Sequence, residues 1–324
     1  MKGLQLNRRA LDLCDALERQ AAELRVSVSL TSGVTRIIDC GVQAQGGLAA
    51  GLMMARACLA GLAEVSIVPA RADVWPGPAI QVVTDQPLAA CMASQYAGWQ
   101  LSAGKFFAMG SGPMRAAAGQ ETLFDDIGQR EVAEHVVGVL ETSKIPPDEI
   151  CAKIAKDCGV SVDHVTLLIA RTASIAGTVQ VVARTVETAL HKLHTLGFDL
   201  QRVVSGVGVA PLPPIGKDDL SAIGWTNDAV LYGGEVTLWV HGDDDSLAEM
   251  GSRVPSSESS DYGEPFATIF ERYERDFYKI DPLLFSPAQV SFVNLDTGRM
   301  HRYGDVNAAV LQKSFGADAP KRGS

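Results

Sequence analysis

Residues 205–234 read SGVGVAPLPPIGKDDLSAIGWTNDAVLYGG, and where regular structure stops in this chain depends on how that stretch is read. Six glycines and three prolines stand within thirty residues. Pro211, Pro213 and Pro214, together with Gly206, Gly208 and Gly216, oppose any continuous helix or strand. Val207, Val209, Leu212, Ile215, Ile223, Trp225 and Leu231 nevertheless require burial, so the stretch is no flexible linker. A long, irregular, apolar segment inside a globular chain is expected to form a binding wall.

Immediately upstream, the spacing of residues 174–196 predicts the longest helix of the chain. Ile175, Val179, Val182, Val186, Ala189, Leu190 and Leu193 fall on one face, and Gln180, Arg184, Glu187 and His191 on the other. Between Arg171 and His191 the only charges are Arg184 and Glu187. The helix is therefore apolar or small nearly all round and is expected to be mostly buried. On a solvated helix an R-x-x-E pair is a weak surface ion pair. In so apolar a setting two charges are costly, which makes Arg184 and Glu187 candidate functional residues.

Farther out, residues 8–24 predict an amphipathic surface helix, and residues 25–40 two strands meeting at Ser32-Gly33. A helix is expected over 47–62 and short strands over 63–69 and 79–84, with a Trp-Pro-Gly-Pro turn between them. Pro87 opens a further helix to about Gln100. Residues 104–119, GKFFAMGSGPMRAAAG, read as a second glycine-rich loop. Strands are expected at 131–141, 164–170 and 235–241, with helices at 145–159 and 265–278. Residues 242–265 read as an acidic, serine-rich surface loop, and 288–303 as a hairpin turning at Asp296-Thr297-Gly298. Alternating strands and helices with two hairpins indicate an α/β fold of α+β character, with mixed sheets flanked by helices. At 324 residues the chain suits two domains, divided here as 1–145 and 146–324, either of which can be discontinuous.

A formal charge of −10 argues against general nucleic-acid affinity. Six cysteines without a C-x-x-C pair suggest reduced thiols and a cytoplasmic setting. The N-terminal residues show no apolar signal core, and Gly46–Ala63, broken by Arg56, reads as a buried helix rather than a membrane span.

Other candidate sites are weaker. The Gly110-Ser111-Gly112-Pro113 turn, with Lys105 and Arg115 nearby in sequence, has the composition of an anion cradle but does not match the phosphate-loop pattern. Thr226-Asn227-Asp228 suits backbone capping or recognition of a heterocycle's amide edge. His191 and His194 lack further ligands at metal spacing, and Asp243-Asp244-Asp245 reads as a solvated loop.

Taken together, GSGPMRA (110–116), TASIAGTVQVVARTVETALHKL (172–193), SGVGVAPLPPI (205–215), AIGWTNDAVLYGG (222–234), VPSSESSDYGEPF (254–266) and DFYKIDPLLFSPA (276–288) resemble the methenyltetrahydromethanopterin cyclohydrolase family, in the family's order. The resemblance implies a homo-oligomer, commonly a trimer, of two-domain subunits with the substrate pocket between the domains. It implies a pterin one-carbon substrate and no metal or cofactor. The family's catalytic pair falls on Arg184 and Glu187. Glu187 is then the base that activates water, kept ionised and oriented by Arg184. The resemblance extends the pocket to Lys105 for charge handling, to Ser111, Gly112 and Arg115 for part of the substrate, and to Asn227 and Asp228 for the pterin. Competing readings are a pterin-binding protein without catalysis and a nucleotide-directed phosphoryl-transfer enzyme. The second lacks a phosphate-loop lysine and metal carboxylates in register.

Overall fold

The architecture is that of a computed structural model describing residues 3–316; Met1, Lys2 and everything after Gly316 lie outside the description. In chain order the strands are β1 (Ser27–Leu30), β2 (Arg36–Gly41), β3 (Glu64–Pro69), β4 (Pro78–Thr84), β5 (Trp99–Ala103), β6 (Phe106–Ser111), β7 (Val136–Glu141), β8 (Val165–Ala170), β9 (Val203–Pro211), β10 (Glu235–Val240), β11 (Gln289–Asn294) and β12 (Met300–Tyr303). They form two six-stranded sheets, ordered β1-β2-β8-β7-β6-β5 and β12-β11-β10-β9-β4-β3. Each sheet mixes parallel and antiparallel pairs: β2–β8, β7–β8 and β10–β11 are parallel, and the remaining pairs antiparallel. Helices flank both sheets, as an α/β chain of α+β character requires. Each sheet takes strands from both sides of residue 145.

The central strands of the first sheet are buried on both faces, which is why VVGVL and VTLLIA are continuous apolar runs without alternation. One face packs Val137, Val139 and Leu168 against Cys14, Met54 and Cys58 of the helices Leu6–Arg19 and Leu48–Cys58. The other packs Val136, Leu140 and Leu167 against Ile150 and Ile154 of the helix Asp148–Cys158. The largest cluster joins the second sheet to the helices Ile175–Val182, Thr185–Thr195 and Asp219–Gly233.

Residues 205–234 are more regular than their composition suggests. They supply most of β9, a short turn, and then the helix Asp219–Gly233, capped by Asp218 accepting from Ser221 N at 2.8 Å. The prolines do not interrupt an element: Pro211 is the last residue of β9, and Pro213 and Pro214 lie in the turn. The glycines permit a close approach. A Cβ on Gly206 would meet Val186 Cγ1 at 3.0 Å, and one on Gly208 would meet Val186 Cγ2 at 2.8 Å. Bare backbone here lets the helix Thr185–Thr195 settle onto β9.

Other elements also depart from expectation. The helix expected over 174–196 is two helices, parted at Ala183 and Arg184. The 104–119 stretch is β6 followed by the helix Met114–Ala118, because residues 106–110 pair with β5 and residues 109–111 with β7. The helix after Pro87 is π-helical over Leu88–Gln95, and chain direction changes before β5. Within 242–265 the helix Asp244–Gly251 forms, capped by Asp243 accepting from Ser246 N at 2.8 Å. Among the described residues, no helix is long and apolar enough to cross a membrane.

Candidate active site

The two helices that follow β8 carry the charged pair at their junction. The run Val179, Val181, Val182, Thr185 and Val186 is β-branched and poor in helix propensity. Thr185 Oγ1 donates back to Val182 O at 2.8 Å, a contact that bends helices. Arg184 N bonds to Val181 O at 3.1 Å, three residues back rather than four. The side chain of Gln95, at the end of the π-helical segment, donates to Ala183 O at 3.0 Å and fixes the break. Arg184 therefore leaves the helical ladder, and Glu187 sits in the first turn of the next helix, where the backbone dipole favours an anion.

Arg184 is held by three acceptors. It donates to Gln95 O, to Ser111 Oγ at 3.0 Å and to Gln180 Oε1 at 3.3 Å. Glu187 is only 6% exposed, and its nearest Arg184 nitrogen is 3.8 Å away, too far for a hydrogen bond. Among the described residues no donor hydrogen-bonds the Glu187 carboxylate, whose lone pairs are therefore open to a water or a substrate. Burial pushes its pKa up from 4.5 to about 7, against the opposing pull of Arg184 and Arg115. The arginine alone thus does not keep this carboxyl at an ordinary value. Desolvation wins, leaving a group that can accept or return a proton near neutrality.

Ser111 closes the network behind Arg184. Its hydroxyl reaches Val139 O at 3.2 Å and Cys58 Sγ at 3.3 Å, and Ser111 itself pairs with Val139 across β6 and β7. Gly112, at φ 92°, turns the chain, and its N–H is bound by Ser94 O at 2.8 Å. A Cβ there would meet Val137 O and Val139 N at 3.2 Å. The amides of this turn are engaged within the protein, as in a plain turn rather than an anion cradle. Arg115 is 1% exposed: it forms a bidentate pair with Glu121, donates to Met92 O at 2.9 Å, and lies 4.8 Å from the Tyr96 ring centroid and 5.4 Å from that of Phe124. His191 also stacks on Tyr96, ring centroids 4.8 Å apart, and burial lowers its pKa to about 4, so the ring is neutral.

Among the described residues, Lys105, Asn227 and Asp228 share no hydrogen bond with this network. Lys105 is exposed in the β5–β6 turn, about 20 Å along β6 from Ser111. Asn227 donates to Ile223 O at 2.8 Å within the helix Asp219–Gly233. Asp228 is fully buried, accepts from Phe266 N at 2.8 Å and Ser314 Oγ, and has a pKa raised by burial to about 7.

The chain matches the family model described as "Cyclohydrolase (MCH)" from residue 5 to residue 315. This chain belongs to the MCH cyclohydrolase family. It is 46% identical to a methenyltetrahydromethanopterin cyclohydrolase of Rhodopirellula baltica, over 96% of this chain and 95% of that protein. A protein of the same name from Xanthobacter autotrophicus is 48% identical, over 94% of this chain and 90% of its own length. One from Methanococcoides burtonii is 40% identical, over 97% and 98% respectively.

Within this cyclohydrolase, sequence reasoning passed over Gln95, Tyr96 and Glu121. Gln95 is the most consequential, since its backbone and side chain hold both Arg184 and the helix break, while its Oε1 is a buried acceptor with no partner among the described residues. The available signal was an amide closing an otherwise apolar run, LAACMASQ.

Proposed function

We propose that this cyclohydrolase catalyses the reversible hydrolysis of 5,10-methenyl-tetrahydromethanopterin to 5-formyl-tetrahydromethanopterin, with Glu187 as the base and Arg184 orienting it. The observation that carries this reading is the buried Glu187 carboxylate, with no donor on it among the described residues and a pKa pushed up to about 7. The methenyl carbon is part of a cationic amidinium, so an ionised Glu187 favours substrate binding as well as chemistry. Water attacks that carbon and gives a proton to Glu187. The C–N10 bond then breaks, its electron pair stays on N10, and Glu187 returns the proton there. The second water proton leaves as the carbonyl forms, so a cation and water yield a neutral formyl product and one proton. Arg184, tied to Gln95 and Ser111, holds a fixed positive charge beside Glu187 without donating to it.

The reaction so written calls on no metal or cofactor. The enzyme is read as a cytoplasmic homo-oligomer, a trimer by family resemblance, with the pterin pocket between its two domains. The test is loss of the methenyl absorbance band on adding purified protein. Wild-type protein clears the band and Glu187→Gln, folded by circular dichroism, does not; near-normal turnover by that variant would remove Glu187 from the role.

A further inference from the structure

We propose that Glu134, His135 and His164 form a binding site for a divalent transition-metal ion of the zinc type, separate from the Arg184–Glu187 site. Strands β7 and β8 run parallel and pair Val136 with Val165. His135 and His164 immediately precede those two residues, so sheet register sets the imidazoles side by side. Their ring centroids are 4.0 Å apart with planes inclined at 33°. One donor atom from each of Glu134, His135 and His164 lies within 4.8 Å of the others, and His135 Nε2 is 3.9 Å from Glu134 Oε1.

One imidazole is already set for coordination. His164 Nδ1 is 3.0 Å from the backbone oxygen of Glu134. A carbonyl only accepts, so Nδ1 is the donor in this bond and Nε2 is the ring nitrogen left for a metal. Metal-binding histidines are commonly fixed by this kind of bond from the other ring nitrogen. Asp163, the residue before His164, adds a further carboxyl close to the pair.

Two imidazoles and a carboxylate suit a zinc-type ion, with water completing the shell. At bond lengths of about 2.0–2.2 Å, tetrahedral donors stand roughly 3.4 Å apart, so these side chains need close by at most about 1.4 Å. Glu134 is exposed and both histidines are partly exposed, so that adjustment meets little packing resistance. An ion held here ties the starts of β7 and β8 together and stabilises the folded chain by mass action. The site lies about 13 Å along β7 from Val139, the residue paired with Ser111.

The test is zinc titration of chelator-treated full-length protein by calorimetry, beside H135A, H164A, H164Q and E134Q. Wild-type protein is expected to bind a single equivalent that each histidine variant weakens by at least roughly tenfold, with a smaller loss in E134Q. Excess zinc should raise the Tm of wild-type protein and not that of H135A, while methenyl-hydrolysing turnover stays the same in both. Copper(II) in the same site should show two imidazole nitrogens by electron paramagnetic resonance, and one in H164Q. Absence of zinc binding by wild-type protein, equal affinity in the histidine variants, or a copper spectrum unchanged by H164Q overturns the assignment.

Discussion

Glu187 is the residue on which the proposed chemistry turns, because three features meet on one carboxyl: burial, a cation 3.8 Å away, and, among the described residues, no hydrogen-bond donor on it. Its ionisation has a stability consequence with a definite sign. In the unfolded chain it titrates near 4.5, and in the folded chain near 7. The folded state thus holds the proton longer, so burial costs nothing below 4.5, and the cost grows until about pH 7 and then levels. Glu187→Gln should therefore unfold at higher urea than wild type, by a margin that widens from pH 5 to pH 7 and reaches on the order of a few kcal/mol. The same substitution should lower kcat by about 10²–10⁴-fold and abolish the rise of rate with pH through neutrality, read from the methenyl absorbance. Asp228 makes a contrasting case. Its oxygens serve Phe266 N and Ser314, so Asp228→Ala should cost about 1–3 kcal/mol in urea unfolding through the orphaned amide. KM is expected to hold; a raised KM at unchanged stability would place Asp228 on the substrate instead. Arg184 and Glu187 were legible in the sequence because charge is conspicuous on an apolar helix. Gln95 was not, because an amide is ordinary until its partners are seen.

At the scale of elements, the site depends on one helix break and one close packing. The break at Ala183–Arg184 turns the Arg184 guanidinium toward Gln95 and Ser111 and starts a new helix under Glu187. Periodicity reads straight through it, since the apolar positions on both sides keep nearly the same phase. The packing is that of β9 on Val186, the residue before Glu187. Gly208→Ala places a methyl group 2.8 Å from Val186 Cγ2 and 3.2 Å from Val186 N, so the helix must shift. That substitution should cost about 1–3 kcal/mol of stability, measured by urea unfolding, and should lower kcat as well. Unchanged turnover in a destabilised protein would show that Glu187 tolerates the shift. The glycines of residues 205–234 were read as marks of irregularity. Their use is closeness: two of them remove side chains from a regular strand.

At the scale of the molecule, the chain passes repeatedly between its two sheets. β8, at 165–170, lies between β2 and β7, and β3 and β4 complete a sheet whose other strands come after residue 202. A fragment of residues 1–145 therefore lacks an inner strand of one sheet and leaves β4 without its β9 partner. It should show no cooperative thermal transition in calorimetry, while the full chain does; a sharp transition in the fragment would mean that the first sheet closes without β8.

Elements with a strong local signal followed from sequence alone: an apolar run gave β8, alternation gave a strand over 131–141 whose second half is β7, proline and glycine bounded the helix Asp148–Cys158, and Asp296-Thr297-Gly298 turned the last hairpin. These rest on periodicity and turn chemistry, which act over a few residues. The candidate pair Arg184 and Glu187 also emerged there, from charge against an apolar background. Tertiary structure alone decided that Gln95, Ser111 and Arg184 meet, that Arg115 is spent on Glu121 and Tyr96, and that His135 stands beside His164. Each of those contacts joins residues far apart in the chain, through sheet register or close packing that no local pattern encodes. It likewise decided the proton affinity of Glu187, because desolvation depends on everything packed around a group.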